Sequence, residues 1–221
     1  MEMAKEPRAE VTRRAIINSA ATSFIHDGYS SASLNEMCAR AGVTKGAMYF
    51  HFSTKEDLAR ALVAVYSDKI LSTLGAMPEQ SGLGIESLID WTFAASKVIA
   101  TDTRAKAGAR MMQEIGRRNG VSDSFMADIA KHVETHLDQA VASGDVQSEI
   151  SMDLVAQNLV MQLRGLQEEA AGDAQAFKGF VQALNVWWQL ALAALVPVSR
   201  RSYFYEFLRR RTDRAQAEFA G

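Results

Sequence analysis

Between positions 44 and 49 the chain reads Thr-Lys-Gly-Ala-Met-Tyr, placing a hydroxyl, an ammonium, a bare glycine and a phenol where a core helix carries aliphatic side chains. These groups suit a polyanion. Thr44 and the free amides of a helix start can take a phosphate, and Lys45 can reach a phosphate or a guanine edge. Gly46 permits close approach, and Tyr49 can meet a phosphate or a thymine methyl. Core packing is the competing reading for Tyr49, and it is the preferred one for Phe50 and Phe52. His51 is divided between a phosphate contact and an ordinary surface role. Lys55 sits in the first turn of a further helix, where a cation opposes the helix dipole unless an anion lies near, and a phosphate would supply one.

Other chemistries are poorly served. The chain has no glycine-rich phosphate loop, no Gly-x-Ser-x-Gly and no His-Glu-x-x-His, so no catalytic residue and no cofactor is assigned. Of the four histidines, His26 and His51 stand apart. His132 and His136 lie at i, i+4 with Asp128 one turn earlier, the best metal-binding candidate available. With Glu134 between them they read more readily as a solvent-facing helix, and no metal is assigned. The lone Cys38 forms no intrachain disulfide, which suits a reducing compartment and a cytoplasmic protein.

Positioning the 44–49 run requires a sharp turn before it. Ala41-Gly42-Val43-Thr44 offers one, with short helices on either side in the proportions of a helix-turn-helix. The first of these begins at Ser33-Leu34-Asn35-Glu36, a capping-box pattern, and stops at Gly42. Thr44 caps the second. Upstream, Ile16, Ile17, Ala20, Ala21 and Phe24 share one face of a helix over about 10–26 that ends near Gly28. Downstream, Ser53-Thr54-Lys55-Glu56 repeats the capping-box pattern and opens a helix to about Leu74.

Breakers at Met77-Pro78-Glu79-Gln80-Ser81-Gly82, Thr101 to Thr103, Asn119-Gly120, Ser143-Gly144 and Gly172-Asp173 then separate about five more helices. With only three prolines and no sustained period-2 alternation, the fold class is all-α. The 221 residues are 48% hydrophobic and 23% charged, enough for one large domain or two modest ones. The N-terminal MEMAKEPRAE lacks the apolar core of a signal peptide, and no stretch suits a membrane span.

Thr12 through Leu62 resembles the DNA-binding domain of the TetR family of repressors. The resemblance rests on Ile16-Ile17-Asn18-Ser19-Ala20-Ala21-Thr22-Ser23-Phe24, Gly28-Tyr29, Ser33-Leu34-Asn35-Glu36, Ala41 through Phe52, and Lys55-Glu56-Asp57-Leu58. Gly46 through Phe52 and Leu195-Val196-Pro197-Val198-Ser199-Arg200-Arg201 are similar to the γ-butyrolactone autoregulator receptors of actinomycetes. The resemblance implies a helix-turn-helix domain over 1–52 and a ligand-sensing and dimerisation domain over 53–221. It implies a homodimer on a palindromic double-stranded DNA operator, released by a small diffusible effector. The DNA-contact set on this chain is then Ser33, Thr44, Lys45, Gly46, Tyr49, His51 and Lys55. Two departures concern the sensor: a tryptophan of the receptors' pocket aligns with Ile129, and a threonine with Leu166. These leave open a pseudo-receptor of the same fold that answers to another ligand, such as an antibiotic, or to none.

In the C-terminal part, Met111, Met112, Met126, Met152 and Met161 with Trp91, Phe93 and Phe125 are candidates to line an adaptable pocket, against plain core packing. Tyr66, Gln113 and Gln162, polar on otherwise apolar helices, are candidate orienting groups. The candidate ligand set is Tyr66, Trp91, Met111, Gln113, Ile129, Gln162 and Leu166. Val186 to Val196, with Trp187 and Trp188, is apolar nearly all round and lacks the Lys or Arg of a membrane-surface helix, so it reads as a dimer seam. Arg200, Arg201, Arg209, Arg210, Arg211 and Arg214 are interleaved with Glu206 and Asp213, the pattern of a solvated face. Residues 1–60 hold 8 basic and 7 acidic groups, 61–199 hold 10 and 16, and 200–221 hold 6 and 3, so the acidity is central.

Overall fold

A computed structural model describes residues 8–75, 84–116, 121–147, 149–169 and 174–218. The breaker clusters at 77–82, 119–120 and 172–173 lie outside them. Ten helices are described: α1 (Arg8–Ser31), α2 (Leu34–Ala41), α3 (Lys45–His51), α4 (Lys55–Gly75), α5 (Ile85–Thr101), α6 (Thr103–Glu114), α7 (Val121–Ala142), α8 (Met152–Glu169), α9 (Ala174–Leu195) and α10 (Val198–Glu218). No strand occurs among the described residues. The chain divides into two compact units, one through Lys69 together with Thr101–Ser122, the other Ile70–Ala100 with Asp123–Gly221.

In the first unit, α1 packs along α6 and α2. Its core joins Ile16, Ala20 and Phe24 of α1 to Met37, Met48, Leu58, Leu62 and Met111, each 1% exposed or less. Polar ties fix α2 on α1: Ser19 Oγ donates to the Met37 carbonyl at 2.8 Å, and Arg40 Nη1 donates to Ser23 Oγ at 2.6 Å. The first helix runs past its expected end. Helical hydrogen bonding resumes after a break at Gly28, whose φ of 74° and ψ of 172° only glycine adopts readily, and continues to Ser31. The break turns the Tyr29 amide outward to donate to Glu114 Oε2 at 2.7 Å. Arg110 pairs with Glu114 at 2.7 Å and also donates to the Ile25 carbonyl, so α6 clasps the end of α1.

Farther along α6, a Cβ on Gly108 would stand 2.1 Å from the Leu62 carbonyl oxygen and 2.6 Å from Tyr66 Cβ. Two helix backbones meet there with no room for a side chain. At the start of α6, Asp102 accepts from the amides of Arg104 and Ala105, both at 2.9 Å, and from Lys69 Nζ at 2.5 Å. Burial pushes its carboxyl up, but these hydrogen bonds outweigh that and hold it below the usual carboxylate range.

In the second unit, α9 lies between α8 and α10. Trp188, 1% exposed, donates from Nε1 to Thr92 Oγ1 at 2.9 Å, tying α9 to α5. Asn185 meets Thr212 at 2.7 Å and the Gln147 amide donates to the Leu195 carbonyl at 2.8 Å. Arg211 is drawn onto Asp90, whose carboxyl burial raises against the opposing pull of that guanidinium. Of the α10 arginines, Arg209 pairs with Glu206 and Asp213, Arg214 with Glu218, and Arg200 with Asp145. The interleaved acids of the sequence thus serve these arginines, though two of the partners, Asp90 and Asp145, come from other elements.

Candidate nucleic-acid interface

The helix pair forms where the sequence places it. Gly42 ends α2 at φ 66° and ψ 30°, the left-handed cap, and nothing within 4 Å would meet a Cβ there, so conformation rather than space selects glycine. Thr44 Oγ1 accepts from the Ala47 amide at 3.2 Å and starts α3. Two local expectations need correction. Ser33 is the N-cap of α2 by backbone geometry, but its hydroxyl makes no capping bond, so the capping box with Glu36 does not form. The second box exists one residue later: Thr54 Oγ1 accepts from Asp57 N at 3.0 Å while Asp57 Oδ2 accepts from Thr54 N at 2.9 Å. The aspartate is near enough to close the ring that Ser53 and Glu56 were expected to make.

Along α3, Met48 (1% exposed) and Phe52 (6%) turn inward, four residues apart. Phe50 lies about 200° round the helix from Met48. It is 82% exposed, beside Tyr49 at 53%, so the expectation that Phe50 packs in the core is wrong. The spacing carried that signal, because the inward stripe was already filled by Met48 and Phe52. Thr44, Lys45 and Gly46 are exposed on the same helix, and His51, half-buried, meets the Phe50 ring edge-on at 5.2 Å. A Cβ on Gly46 would meet only Thr44 Oγ1, at 3.9 Å, so nothing within the chain requires glycine there.

Lys55 is placed differently. Its Nζ donates to the carbonyls of Ser30 at 3.0 Å and Ala32 at 3.2 Å and lies 5.0 Å from the Tyr29 ring centroid. Those carbonyls supply the negative partner that the sequence reading sought in a phosphate. The lysine thereby pins the start of α4 to the end of α1, and α3 is suspended between them.

The seven candidate ligand residues do not gather in one place. Tyr66 (4% exposed), Met111 (0%) and the half-buried Gln113 belong to the first unit. In the second unit Ile129 is buried on α7, one turn before Val133, and Leu166 is half-buried on α8. Gln162 is exposed and lines a surface groove of about 710 Å³ between α8 and α9, with Ile150, Leu154, Met161, Trp187 and Leu190. Trp91 alone of the seven borders a small internal cavity also lined by Leu88, Val133, Leu163, Trp187 and Trp188. The histidine pair is likewise parted: buried His136 accepts at Nδ1 from the Gly84 amide at 3.3 Å, while exposed His132 bonds the Asp128 carbonyl. Burial, with His132 adding to it, lowers the His136 pKa.

This cap, turn and exposed polar helix fall within a sequence match to the bacterial regulatory proteins of the tetR family, over residues 16–62. Across 93% of the chain the structure is similar to the TetR-family protein CprB from Streptomyces coelicolor A3(2), at 30% identity, covering 98% of that chain with a TM-score of 0.76. The chain belongs to the TetR family of bacterial regulatory proteins. Among sequence relatives of this TetR-family regulator, the A-factor receptor protein of Streptomyces griseus is 39% identical over 112 residues, 51% of this chain but 38% of that protein's length. A structure of CprB with its biological operator sequence is similar at 29% identity and TM-score 0.74, covering 94% of this chain and 99% of that one. On this TetR-family regulator α3 is the candidate interface, and Phe50 is the exposed residue on it that the sequence reading assigned to the core. No described helix is long and apolar enough to cross a membrane.

Proposed function

We propose that this TetR-family regulator is a cytoplasmic repressor that binds a palindromic operator as a homodimer and lets go when a small diffusible molecule of the γ-butyrolactone kind binds it. Residues 1–52 would contact the operator and residues 53–221 would sense and dimerise. The observation that carries this is the solvent-facing run on α3, where Thr44, Lys45, Gly46, Tyr49 and Phe50 lie open while Met48 and Phe52 anchor the helix from behind. In this reading Lys45 and Tyr49 contact DNA, Phe50 adds an apolar contact of the sort a thymine methyl accepts, and Ser33 and His51 flank them on phosphates. Lys55 acts mainly by holding α3, with its remaining N–H bond available to a phosphate.

Dimerisation is proposed through α8 and α9, whose exposed Leu154, Met161, Val186 and Leu190 make an apolar face on both sides of the groove. A second copy would cover it as two such faces meet about a two-fold axis, matching two half-sites.

The test uses duplexes selected from a random pool on the purified protein. Lys45→Ala should weaken binding to the selected duplex by about 1–3 kcal/mol if Lys45 meets a base. Affinity should also fall steeply as salt rises. Undiminished affinity of the Lys45 variant refutes this placement of the reading helix. A second reading, a pseudo-receptor with another ligand or none, is favoured by Ile129 and Leu166, which offer neither the ring nor the hydroxyl of the similar receptors. A melting-temperature screen against lactones and antibiotics separates the two, since a ligand that binds the folded state raises the midpoint.

A further inference from the structure

Within the first unit α1 packs along α6, yet beside the start of α6 the two stand apart over a cleft of about 430 Å³. Helix contacts ordinarily leave few voids larger than a water, and this one is in the size range of small-molecule sites. Its walls are polar. Arg14, Asn18 and Thr22 follow one another at i, i+4, i+8 along α1, and Thr101, Thr103 and Arg104 line the other side at the turn into α6. Among the described lining residues only Ala21 is apolar. The apolar row of α1, Ile16, Ala20 and Phe24, is spent on the core, so the polar row is not what holds the unit together.

The charges of the cleft do not cancel. Asp102 is the one acid among the described lining residues, and it is already engaged, accepting from the amides of Arg104 and Ala105 at 2.9 Å and from Lys69 Nζ at 2.5 Å. Arg104 Nη2 stands 3.8 Å from Asp102 Oδ2, beyond hydrogen-bonding distance. With Lys69 balancing Asp102, the guanidiniums of Arg14 and Arg104 leave the cleft positive. Since Asp102 occupies those two amides of the first turn of α6, side chains rather than the helix end set the preference for an anion. A carboxylate presents two oxygens in one plane, which a single guanidinium fork can meet. A phosphate ester presents three oxygens and two negative charges, which suits guanidiniums from two elements joined by the Asn18 carboxamide and the Thr101 and Thr103 hydroxyls. The remaining space admits a small polar remainder, and Ala21 alone is too little surface for a lipophilic one.

We propose that the cleft between α1 and α6 is a binding site for a small phosphate monoester, gripped at its phosphate by Arg14 and Arg104. The site uses none of the groups assigned to DNA or to the effector and stands independently of both assignments. Its position makes it a regulatory one. Ser19 and Ser23, each next to a cleft residue on α1, hold α2 through the Met37 carbonyl and Arg40. A ligand that ties α1 to α6 therefore steadies the helix on which α2 is mounted.

Calorimetric titration of the full chain with glycerol 3-phosphate, at fixed ionic strength, tests the site against glycerol and succinate. The monoester should bind saturably, glycerol should not bind, and succinate should bind at least tenfold more weakly. Arg14→Gln and Arg104→Gln should each weaken the monoester about tenfold or more, the size of a lost charge-assisted hydrogen bond, with a melting curve taken without anion to check that each variant folds. Should either fail to fold, Asn18→Ala, at an exposed position, should cost several-fold in its place. A monoester that does not saturate at millimolar concentration, or that binds both arginine variants undiminished, overturns the site. Succinate binding as tightly as the monoester overturns the choice of phosphate. If the selected duplex competes with the monoester and both arginine variants lose duplex affinity to the same extent, the cleft holds a backbone phosphate of DNA, and the small-ester assignment falls.

Discussion

At Gly46, stability and the proposed recognition of DNA would make opposite demands on a single residue. Its helical position would ordinarily favour alanine by about 1 kcal/mol, and the space around it admits a Cβ. Gly46→Ala is therefore expected to raise the unfolding free energy by up to about 1 kcal/mol in urea titration while weakening the selected duplex several-fold. A variant that is more stable and binds equally well would show that nothing approaches this glycine. The polar members of this surface, Thr44 and Lys45, were legible in the sequence because their types are out of place in a core. Phe50 was not, since an aromatic residue looks the same in sequence whether it faces in or out; only its angle from Met48 and Phe52 decides. The structural role of Lys55 was hidden for a related reason: its partners within the chain are backbone carbonyls at Ser30 and Ala32, which no residue type announces.

At the level of the elements, the helices themselves followed from capping and periodicity, with Gly42 and Thr44 marking the turn. What could not be read was which helices touch. Gly108 appears in sequence as one weak point in a helix, yet it is where α6 meets α4 backbone to backbone. Gly108→Ala must force the two apart, and a loss of about 1–3 kcal/mol or more is expected in thermal or urea unfolding. An unaltered midpoint would contradict that close approach. The Arg110–Glu114 clasp on the broken end of α1 belongs to the same class of feature, since its partners are 85 residues away in the chain.

For the molecule as a whole, the near-neutral composition hides an uneven division, with the central residues acidic and the first sixty almost balanced. Under the proposed function, affinity for DNA would then depend on two copies of a small contact set, and so on the dimer. Leu190, 67% exposed in the middle of the α8–α9 face, is the sensitive point. Leu190→Glu is expected to shift the protein to a monomer in sedimentation and to reduce binding to a palindromic duplex far more than to a single half-site. A variant that remains dimeric would move the interface elsewhere. The apolar Val186 to Val196 stretch pointed to a seam, but the sequence could not say that α8 and α9 together line a surface groove, nor that Trp188 turns inward while Trp187 lies at the groove.

Trp187 forms part of two walls, that of the surface groove and that of the cavity beside Trp91. A ring shared in this way cannot be shifted from one side without being felt on the other. If effector and partner subunit both press on it, their affinities are bound by reciprocity: whatever factor the effector imposes on dimer dissociation, dimerisation must impose on effector dissociation. Effector potency would then vary with protein concentration, so that a scarce repressor and an abundant one read the same signal at different thresholds.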